Sequence, residues 1–115
     1  MTGSYTEHQK LLKEIQLEIQ KTFKDSRTFP LYTGTVQTTF GYLSVGQPGW
    51  PDLLCVLLYK SQLVAIAIEI KTGKAVLSKE QKHFKKMWEE INGLFIVGRT
   101  PDQVVKEIKE RYVDV

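Results

Sequence analysis

Two continuous apolar segments, separated by a short turn, constrain the fold of this chain more than any other feature. They are Leu53–Tyr59 and residues 63–68. Side chains alternate between the two faces of a strand, so an unbroken apolar run indicates a strand that is covered on both faces. The turn between them predicts that the two strands pair antiparallel. A chain of 115 residues then fits a single domain, residues 1–115, in which helices cover this sheet.

The segment before these strands has the periodicity of an amphipathic helix. Residues 6–9 have the sequence of a capping box, which predicts a helix over about residues 7–24. Its apolar stripe consists of Leu12, Ile15, Ile19 and Phe23. Residues 31–44 are rich in Thr and Tyr and contain two glycines, and they predict a short strand or an irregular hairpin.

The segment after the strands predicts a helix, a strand and a second helix. Ser78 and Gln81 have the spacing of a capping box, and the helical pattern that follows ends near Asn92. Residues 94–97 form a third apolar strand, and Pro101 begins the last helix. The predicted order is α-β-β-β-α-β-α, a mixed α/β (α+β) fold in which helices flank a small mixed sheet.

Charged residues stand at the ends of strands that otherwise contain none. Asp52 precedes the first buried strand, and Glu69 and Lys71 close the second. If the strands pair as a hairpin, the three side chains meet at one edge of the sheet. Two carboxylates at such a short distance repel each other unless a cation lies between them or one is protonated. Oxygen ligands suit Mg²⁺ or Mn²⁺, and a nearby lysine can assist water in phosphodiester hydrolysis.

Each of these three residues also has an ordinary structural interpretation. Asp52 could cap the turn after Pro51, and Glu69 and Lys71 could mark the point where a strand reaches solvent. Taken singly, each residue favours that interpretation. Taken together, Asp before one buried strand and Glu-x-Lys at the end of the next favour a site.

The motifs around these residues resemble the virus-type replication-repair nuclease (VRR-NUC) domain of the PD-(D/E)xK nuclease superfamily. The motifs are GWPD at 49–52, IEIKTGK at 68–74, LSKEQ at 77–81 and NGLFIV at 92–97. The resemblance covers most of the chain after about Gly46. It implies a restriction-endonuclease-like core and metal-dependent cleavage of DNA.

The resemblance also implies roles for individual residues. Asp52, Glu69 and the backbone carbonyl of Ile70 would be metal ligands, and Lys71 would be the catalytic lysine. Gln81 would be the glutamine that this family places near the active site. Its alternative role is to close the capping box with Ser78, and the two roles do not exclude each other.

Family members place a glutamate of the first helix at the metal, and this chain departs from that pattern. If residues 15–16 align with the usual Ile-Gln pair, Leu12 occupies the glutamate position. Glu14, and after it Glu18, are the nearest candidates, although either is typical of a solvated helix surface. Glu7 is a candidate only if the helix is shifted. His8 and His83 lack metal-ligand spacing and are predicted to be surface residues.

A basic cluster suggests how nucleic acid could be bound. The chain carries only +3 overall, whereas residues 71–86 hold six lysines and one glutamate, a net +5. Such cations can contact backbone phosphates without reading sequence, although a lysine-rich helix face is often only solvated. The residues predicted to contact DNA are Lys74, Lys79, Lys82, Lys86 and Arg99.

The sequence therefore predicts a Mg²⁺- or Mn²⁺-dependent DNA endonuclease, selective for Holliday junctions or other branched DNA in replication, repair or recombination. Small stand-alone members of the family that the motifs resemble are homodimers, so the resemblance implies a homodimer here. One alternative is a nuclease on ordinary duplex or single strands, and another is a non-catalytic nucleic-acid-binding module. Cys55 is the only cysteine, and no signal peptide or membrane-spanning segment is apparent. We therefore expect a cytoplasmic protein of a bacterial or phage-infected cell that has no membrane partner.

Overall fold

The computed structural model describes residues 3–32 and 34–115, and within them it contains three helices and six strands. The helices are α1 (Gly3–Thr22), α2 (Lys79–Glu90) and α3 (Pro101–Arg111). The strands are β1 (Ser26–Pro30), β2 (Gly34–Thr38), β3 (Gly41–Val45), β4 (Leu53–Tyr59), β5 (Gln62–Ile70) and β6 (Leu94–Gly98). Among these described residues, no helix is both long enough and apolar enough to cross a membrane.

A mixed four-stranded sheet forms the centre of the molecule, in the order β1-β4-β5-β6. Strands β1, β4 and β5 pair antiparallel, whereas β6 runs parallel to β5. The β4–β5 hairpin agrees with the sequence prediction and pairs Leu53 with Ile68. Lys60 and Ser61 both adopt positive φ at its turn, as the tightest two-residue hairpins require.

Helices cover both faces of this sheet, as predicted, but they do so unequally. Helices α1 and α3 pack against each other and over one face, where they bury Ile15, Ile68 and Ile108 completely. Helix α2 lies over the opposite face, and none of its residues is fully buried. Its contact with the sheet is aromatic, since the Phe84 ring lies 6.2 Å from the ring of Phe95. The α2 face is therefore thinly covered and partly open.

The segment between α1 and β4 contains more structure than the sequence predicted. Strand β1 was not predicted. Of the two interpretations of residues 31–44, the hairpin agrees with the structure, in which β2 and β3 form a two-stranded sheet of their own. The predicted element order is thus short by two strands. Strand β1 is an edge strand that exposes most of its residues and ends in Pro30, so it lacks the apolar pattern that reveals a central strand.

The helix ends were predicted with mixed success. Helix α1 begins at Gly3, so Thr6 lies within it and the predicted capping box at residues 6–9 is wrong. The capping box of Ser78 with Gln81 is confirmed. Helix α3 has a second one, formed by Thr100 and Gln103. The earlier start of α1 matters for the site, because it adds one helical turn at the end of the helix that reaches the sheet edge.

Candidate functional site

The strand register brings the predicted charged residues together at one edge of the sheet. Since Leu53 pairs with Ile68, the next position outward places Asp52 beside Glu69. The Leu31 N–H donates to the Asp52 carbonyl over 2.9 Å, which extends the β1–β4 pairing to the same point. The backbone of Asp52 is therefore held between two neighbouring strands.

The Asp52 carboxylate connects the sheet to α1. Its Oδ2 atom accepts a 2.8 Å hydrogen bond from the backbone N–H of Ile70. The same oxygen lies 3.2 Å from Nε2 of His8. These two contacts fix the orientation of the carboxylate, because one comes from the adjacent strand and the other from the first helix.

The turn before Asp52 packs directly against the first turn of α2. Gly49 has φ +93°, and a Cβ atom at this position would lie 2.7 Å from the carbonyl carbon of Glu80. A side chain is therefore excluded both by backbone conformation and by space. Because Glu80 adjoins Gln81, this contact sets the position of Asp52 relative to the helix that carries Gln81.

Glu69 is a buried acid with one unpartnered oxygen. The residue is only 3% exposed, and its side chain points toward α2 because Ile68 and Ile70 take the opposite face. Its Oε2 atom accepts a 2.9 Å hydrogen bond from Nε2 of Gln81 and lies 3.8 Å from Nζ of Lys71. Its Oε1 atom is buried and has no hydrogen-bond partner. Such an atom requires an explanation, and two are available: a proton shared with the adjacent Asp52 carboxylate, or a bound ion.

The environment of Glu69 disfavours its charged form. Burial raises the pKa of the Glu69 carboxyl from 4.5 to about 9, and the adjacent Asp52 adds to this shift. The positive charge of Lys71 acts in the opposite direction but does not compensate for it. A divalent cation would reverse the balance, because it stabilises the ionised carboxylate.

Gln81 closes the capping box and also contacts Glu69. Its Oε1 atom accepts a 2.8 Å hydrogen bond from the Ser78 N–H, which closes the capping box. Its Nε2 atom donates to Glu69. One side chain therefore fixes the start of α2 and orients the buried carboxylate.

These residues line an open cavity of about 400 Å³. A cavity of this size that is open to solvent admits a hydrated ion together with a phosphate group. The lining residues are His8, Asp52, Glu69, Ile70, Lys71, Thr72, Ala75 and Gln81.

The cavity offers oxygen donors of two kinds, side-chain carboxylates and a main-chain carbonyl, and both kinds bind hard cations. In residues 3–32 and 34–115, no group of three or more His, Cys, Asp and Glu side chains is arranged to hold a metal ion. The available donors are the Asp52 carboxylate, the unpartnered Oε1 of Glu69 and the backbone carbonyl of Ile70. Two carboxylates and a main-chain oxygen are the ligand chemistry of Mg²⁺ and Mn²⁺ sites that retain several waters.

Helix α1 contributes a histidine to this cavity rather than the expected glutamate. Glu14 is exposed, and Glu18 accepts a 3.4 Å hydrogen bond from Thr22 within the helix. Neither of them lines the cavity. His8 does, although its sequence context predicted a surface position. Sequence spacing gave no sign of this contact, because His8 and Asp52 are 44 residues apart in the chain.

The basic residues fall into two structural groups. Lys74, Lys79, Lys82 and Lys86 are exposed to solvent, and the last three lie along α2. Arg99 instead holds the loop after Lys71, since its guanidinium donates to the carbonyls of Gly73 over 3.1 Å and Ala75 over 2.7 Å. Arg99 therefore shapes the cavity rim, because Ala75 is one of the lining residues.

Comparisons of the chain with protein-family models, with curated proteins and with solved structures returned no match. The functional assignment therefore depends on the geometry of the cavity and on the motif resemblance described above.

Proposed function

We propose that this protein is a metal-dependent DNA endonuclease of the VRR-NUC type that hydrolyses phosphodiester bonds, with a preference for Holliday junctions or other branched DNA. The observation that carries the proposal is Glu69. A buried acid with an unpartnered oxygen lies beside Asp52 and Lys71 in an open cavity. Burial of this carboxyl group beside a second carboxylate supports a cation at this position.

The proposed chemistry divides the work among these residues. Asp52, Glu69 and the Ile70 carbonyl would hold Mg²⁺ or Mn²⁺. The ion, when bound, supplies Lewis acidity toward a phosphate oxygen and lowers the pKa of water. Lys71 lies 3.8 Å from Glu69 and so points its ammonium group at the same place, where it can neutralise charge that develops on the phosphate. Gln81 keeps Glu69 in one orientation.

The proposed substrate contact is the exposed lysine stripe of α2, formed by Lys79, Lys82 and Lys86. Helix α2 carries both this stripe and Gln81, so a DNA backbone on the stripe would lie close to the cavity. Lysines on phosphates provide affinity without sequence preference, which suits an enzyme that selects a DNA shape. Two copies of so small a domain, related by two-fold symmetry, would present two cavities to the two strands of a junction.

Cleavage assays test this proposal against its alternatives. Purified protein is incubated with a labelled four-way junction, a flap and a linear duplex, each with Mg²⁺, Mn²⁺ or EDTA. We expect metal-dependent cleavage with the junction or flap preferred, and a loss of at least about 100-fold in Asp52→Asn and Glu69→Gln. The exposed Glu110→Gln variant serves as the matched control.

Other outcomes would redirect or overturn the proposal. Equal cleavage of linear duplex would indicate a general nuclease, and binding without cleavage would indicate a nucleic-acid-binding module. The enzyme assignment would be wrong if no substrate were cut with either metal, or if the Asp52 and Glu69 variants cleaved as fast as the wild type.

A further inference from the structure

The β2–β3 hairpin exposes apolar side chains on both of its faces. Neighbouring residues of a strand point to opposite faces. Tyr42 and Leu43 are neighbours in β3 and are 76% and 58% exposed, so neither face of the two-stranded ribbon is covered at this point. Within the part of the chain that the structure describes, β2 and β3 have no extensive contact with any element except each other. The hairpin therefore stands away from the domain that carries the cavity.

The tip of the hairpin presents an aromatic ring on a backbone that is held in place. Phe40 lies in the turn between the two strands and is 100% exposed. Its N–H donates to the Thr38 hydroxyl over 3.2 Å, and that hydroxyl donates to the Gly41 carbonyl over 3.1 Å. The turn is thus fixed by hydrogen bonds, whereas the Phe40 ring lies entirely in solvent. Large apolar side chains exposed together are typical of a surface that binds a partner.

The composition of this segment indicates the chemistry of that partner. No charged residue occurs between Arg27 and Asp52, a stretch that includes the whole hairpin. A surface for DNA phosphates would carry lysine or arginine, as α2 does. An uncharged aromatic surface instead matches the faces of nucleic-acid bases, on which aromatic side chains stack without regard to sequence. The hairpin therefore complements bases and not the phosphate backbone.

Bases are open to such contact where a duplex is interrupted. Within a continuous duplex each base is stacked between its neighbours, and an inserted apolar side chain must first separate them. At a branch point the last base pair of each arm has a free face. A ribbon with two uncovered faces can enter between two arms, whereas a second copy of the chain seated on the ribbon would cover only one face. We propose that the β2–β3 hairpin is a wedge that inserts Phe40 at the branch point of DNA and stacks its ring on an exposed base.

This inference rests on the proposed nuclease function and gives a physical source for its selectivity toward branched DNA. Residues 46–51 lead directly from β3 to Asp52, and Gly49 in this turn packs against α2. The segment that carries the wedge therefore also carries a residue of the cavity, and it contacts the helix that bears the lysine stripe.

DNA binding in EDTA tests the wedge separately from cleavage. Fluorescence anisotropy gives the affinity for a labelled four-way junction and for a linear duplex built from the sequence of its arms. The emission of 2-aminopurine placed next to the branch rises when this base loses its stacking on other bases. We expect the wild type to prefer the junction and to raise this emission. Phe40→Ser should bind the junction at least about fivefold more weakly, with unchanged affinity for the duplex and no rise in emission.

Two further variants make the comparison specific. Phe40→Trp keeps an aromatic ring at the tip and should behave as the wild type does. Leu63→Ser is the matched control, because Leu63 is an exposed apolar residue at the opposite end of the β4–β5 pair from Asp52. It should bind both DNA molecules as tightly as the wild type.

Three results would overturn the inference, and they differ in what else they affect. If the wild type does not prefer the junction, or if Phe40→Ser keeps that preference, the wedge is wrong while metal-dependent cleavage can still be correct. If light scattering shows that Phe40→Ser converts a dimer into a monomer, the hairpin binds a second copy of the chain and the wedge is again wrong. If the wild type neither binds nor cleaves any DNA, the wedge and the proposed function are both wrong.

Discussion

At the scale of single residues, Glu69 is the feature that most needs a functional explanation. A buried carboxyl group with an unsatisfied oxygen costs folding free energy, on the order of 1–3 kcal/mol for an unpaired polar group. The contacts with Gln81 and Lys71 do not remove this cost, because both engage the other oxygen, Oε2. A residue that destabilises the folded chain in this way is typical of a binding site.

The first prediction concerns the pH dependence of stability in EDTA. The pKa of Glu69 is about 9 in the folded chain and 4.5 when the chain is unfolded. Between these values the folded state binds more protons, so Glu69 makes the free energy of unfolding fall as pH rises, by at most about 1.4 kcal/mol per pH unit. Its contribution is complete below pH 4.5 and is lost as pH passes about 9.

Urea unfolding at pH 5, 7 and 9 provides the measurement. The Glu69→Gln variant is neutral and nearly isosteric, so it should lack the part of the pH dependence of stability that Glu69 causes. It should be more stable than the wild type at pH 9. Glu110→Gln, on the surface of α3, should follow the wild type. Parallel pH profiles for the wild type and Glu69→Gln would show that the carboxyl group is not protonated in the folded chain.

The second prediction separates the two functions of Gln81. Ser78→Ala removes the helix cap and should lower the free energy of unfolding by about 1 kcal/mol, with cleavage intact. Gln81→Ala removes the cap contact and also the hydrogen bond to Glu69. It should show a similar loss of stability together with much slower cleavage. Equal cleavage rates in the two variants would mean that the bond to Glu69 has no part in the reaction.

At the scale of elements, the contact between the 46–51 turn and α2 determines whether the site is assembled. Gly49→Ala forces a Cβ atom against the backbone of Glu80 at a residue with φ +93°. We expect a destabilisation of about 1–3 kcal/mol and loss of cleavage, because Asp52 and Gln81 are displaced relative to each other. The measurements are urea unfolding and the junction assay.

Gly73→Ala is the matched control for this third prediction. Gly73 also has positive φ, +56°, but a Cβ atom there meets nothing within 4 Å. It carries the backbone strain without the collision, so it should cost less stability and retain cleavage. Similar behaviour of the two variants would show that strain, and not contact with α2, explains the effect of Gly49→Ala.

The elements that the sequence predicted best are those with strong local signals. Strand β4 has the predicted bounds, because an apolar run between Asp52 and a turn leaves little freedom. Helix α2 was revealed by its capping box and α3 by Pro101 at its start, and both signals come from residues close together in sequence. The edge strand β1 was missed because its pairing with β4 depends on contacts remote in sequence.

The residues of the candidate site divide in the same way. Those next to a strong local pattern were predicted, and those brought together only by packing were not. Asp52, Glu69 and Lys71 were found together, because antiparallel pairing of two neighbouring strands brings their ends to one place. His8 was not found, since its approach to Asp52 depends on how α1 crosses the sheet. Two further features also arise from packing and leave no local sequence pattern. They are the unpartnered oxygen of Glu69 and the contact of Gly49 with α2.

At the scale of the whole molecule, the β2–β3 hairpin is distinct from the domain that carries the site. It forms a separate two-stranded sheet, and no charged residue occurs between Arg27 and Asp52. Phe40 at its turn is 100% exposed, and Tyr42 and Leu43 are also exposed. The central sheet and its helices thus do not depend on these side chains for their packing.

The fourth prediction follows from this separation. Phe40→Ser should change the free energy of unfolding by no more than about 0.5 kcal/mol, as expected of an exposed residue. Phe23→Ala, which removes a buried side chain of the core just after α1, should cost about 3–5 kcal/mol. Urea unfolding at low protein concentration gives the free energy of unfolding of both variants and of the wild type. A comparable loss in Phe40→Ser would contradict the independence of the hairpin.

The central claim is that Asp52 and Glu69 bind the ion on which DNA cleavage depends. Its most direct test is the cleavage rate of a labelled four-way junction as Mn²⁺ is added back to EDTA-treated protein, for the wild type, Glu69→Gln and Glu110→Gln. The proposal predicts a saturable rise in rate for the wild type and Glu110→Gln, and almost none for Glu69→Gln. Cleavage in EDTA, or an identical Mn²⁺ dependence in Glu69→Gln, would contradict it.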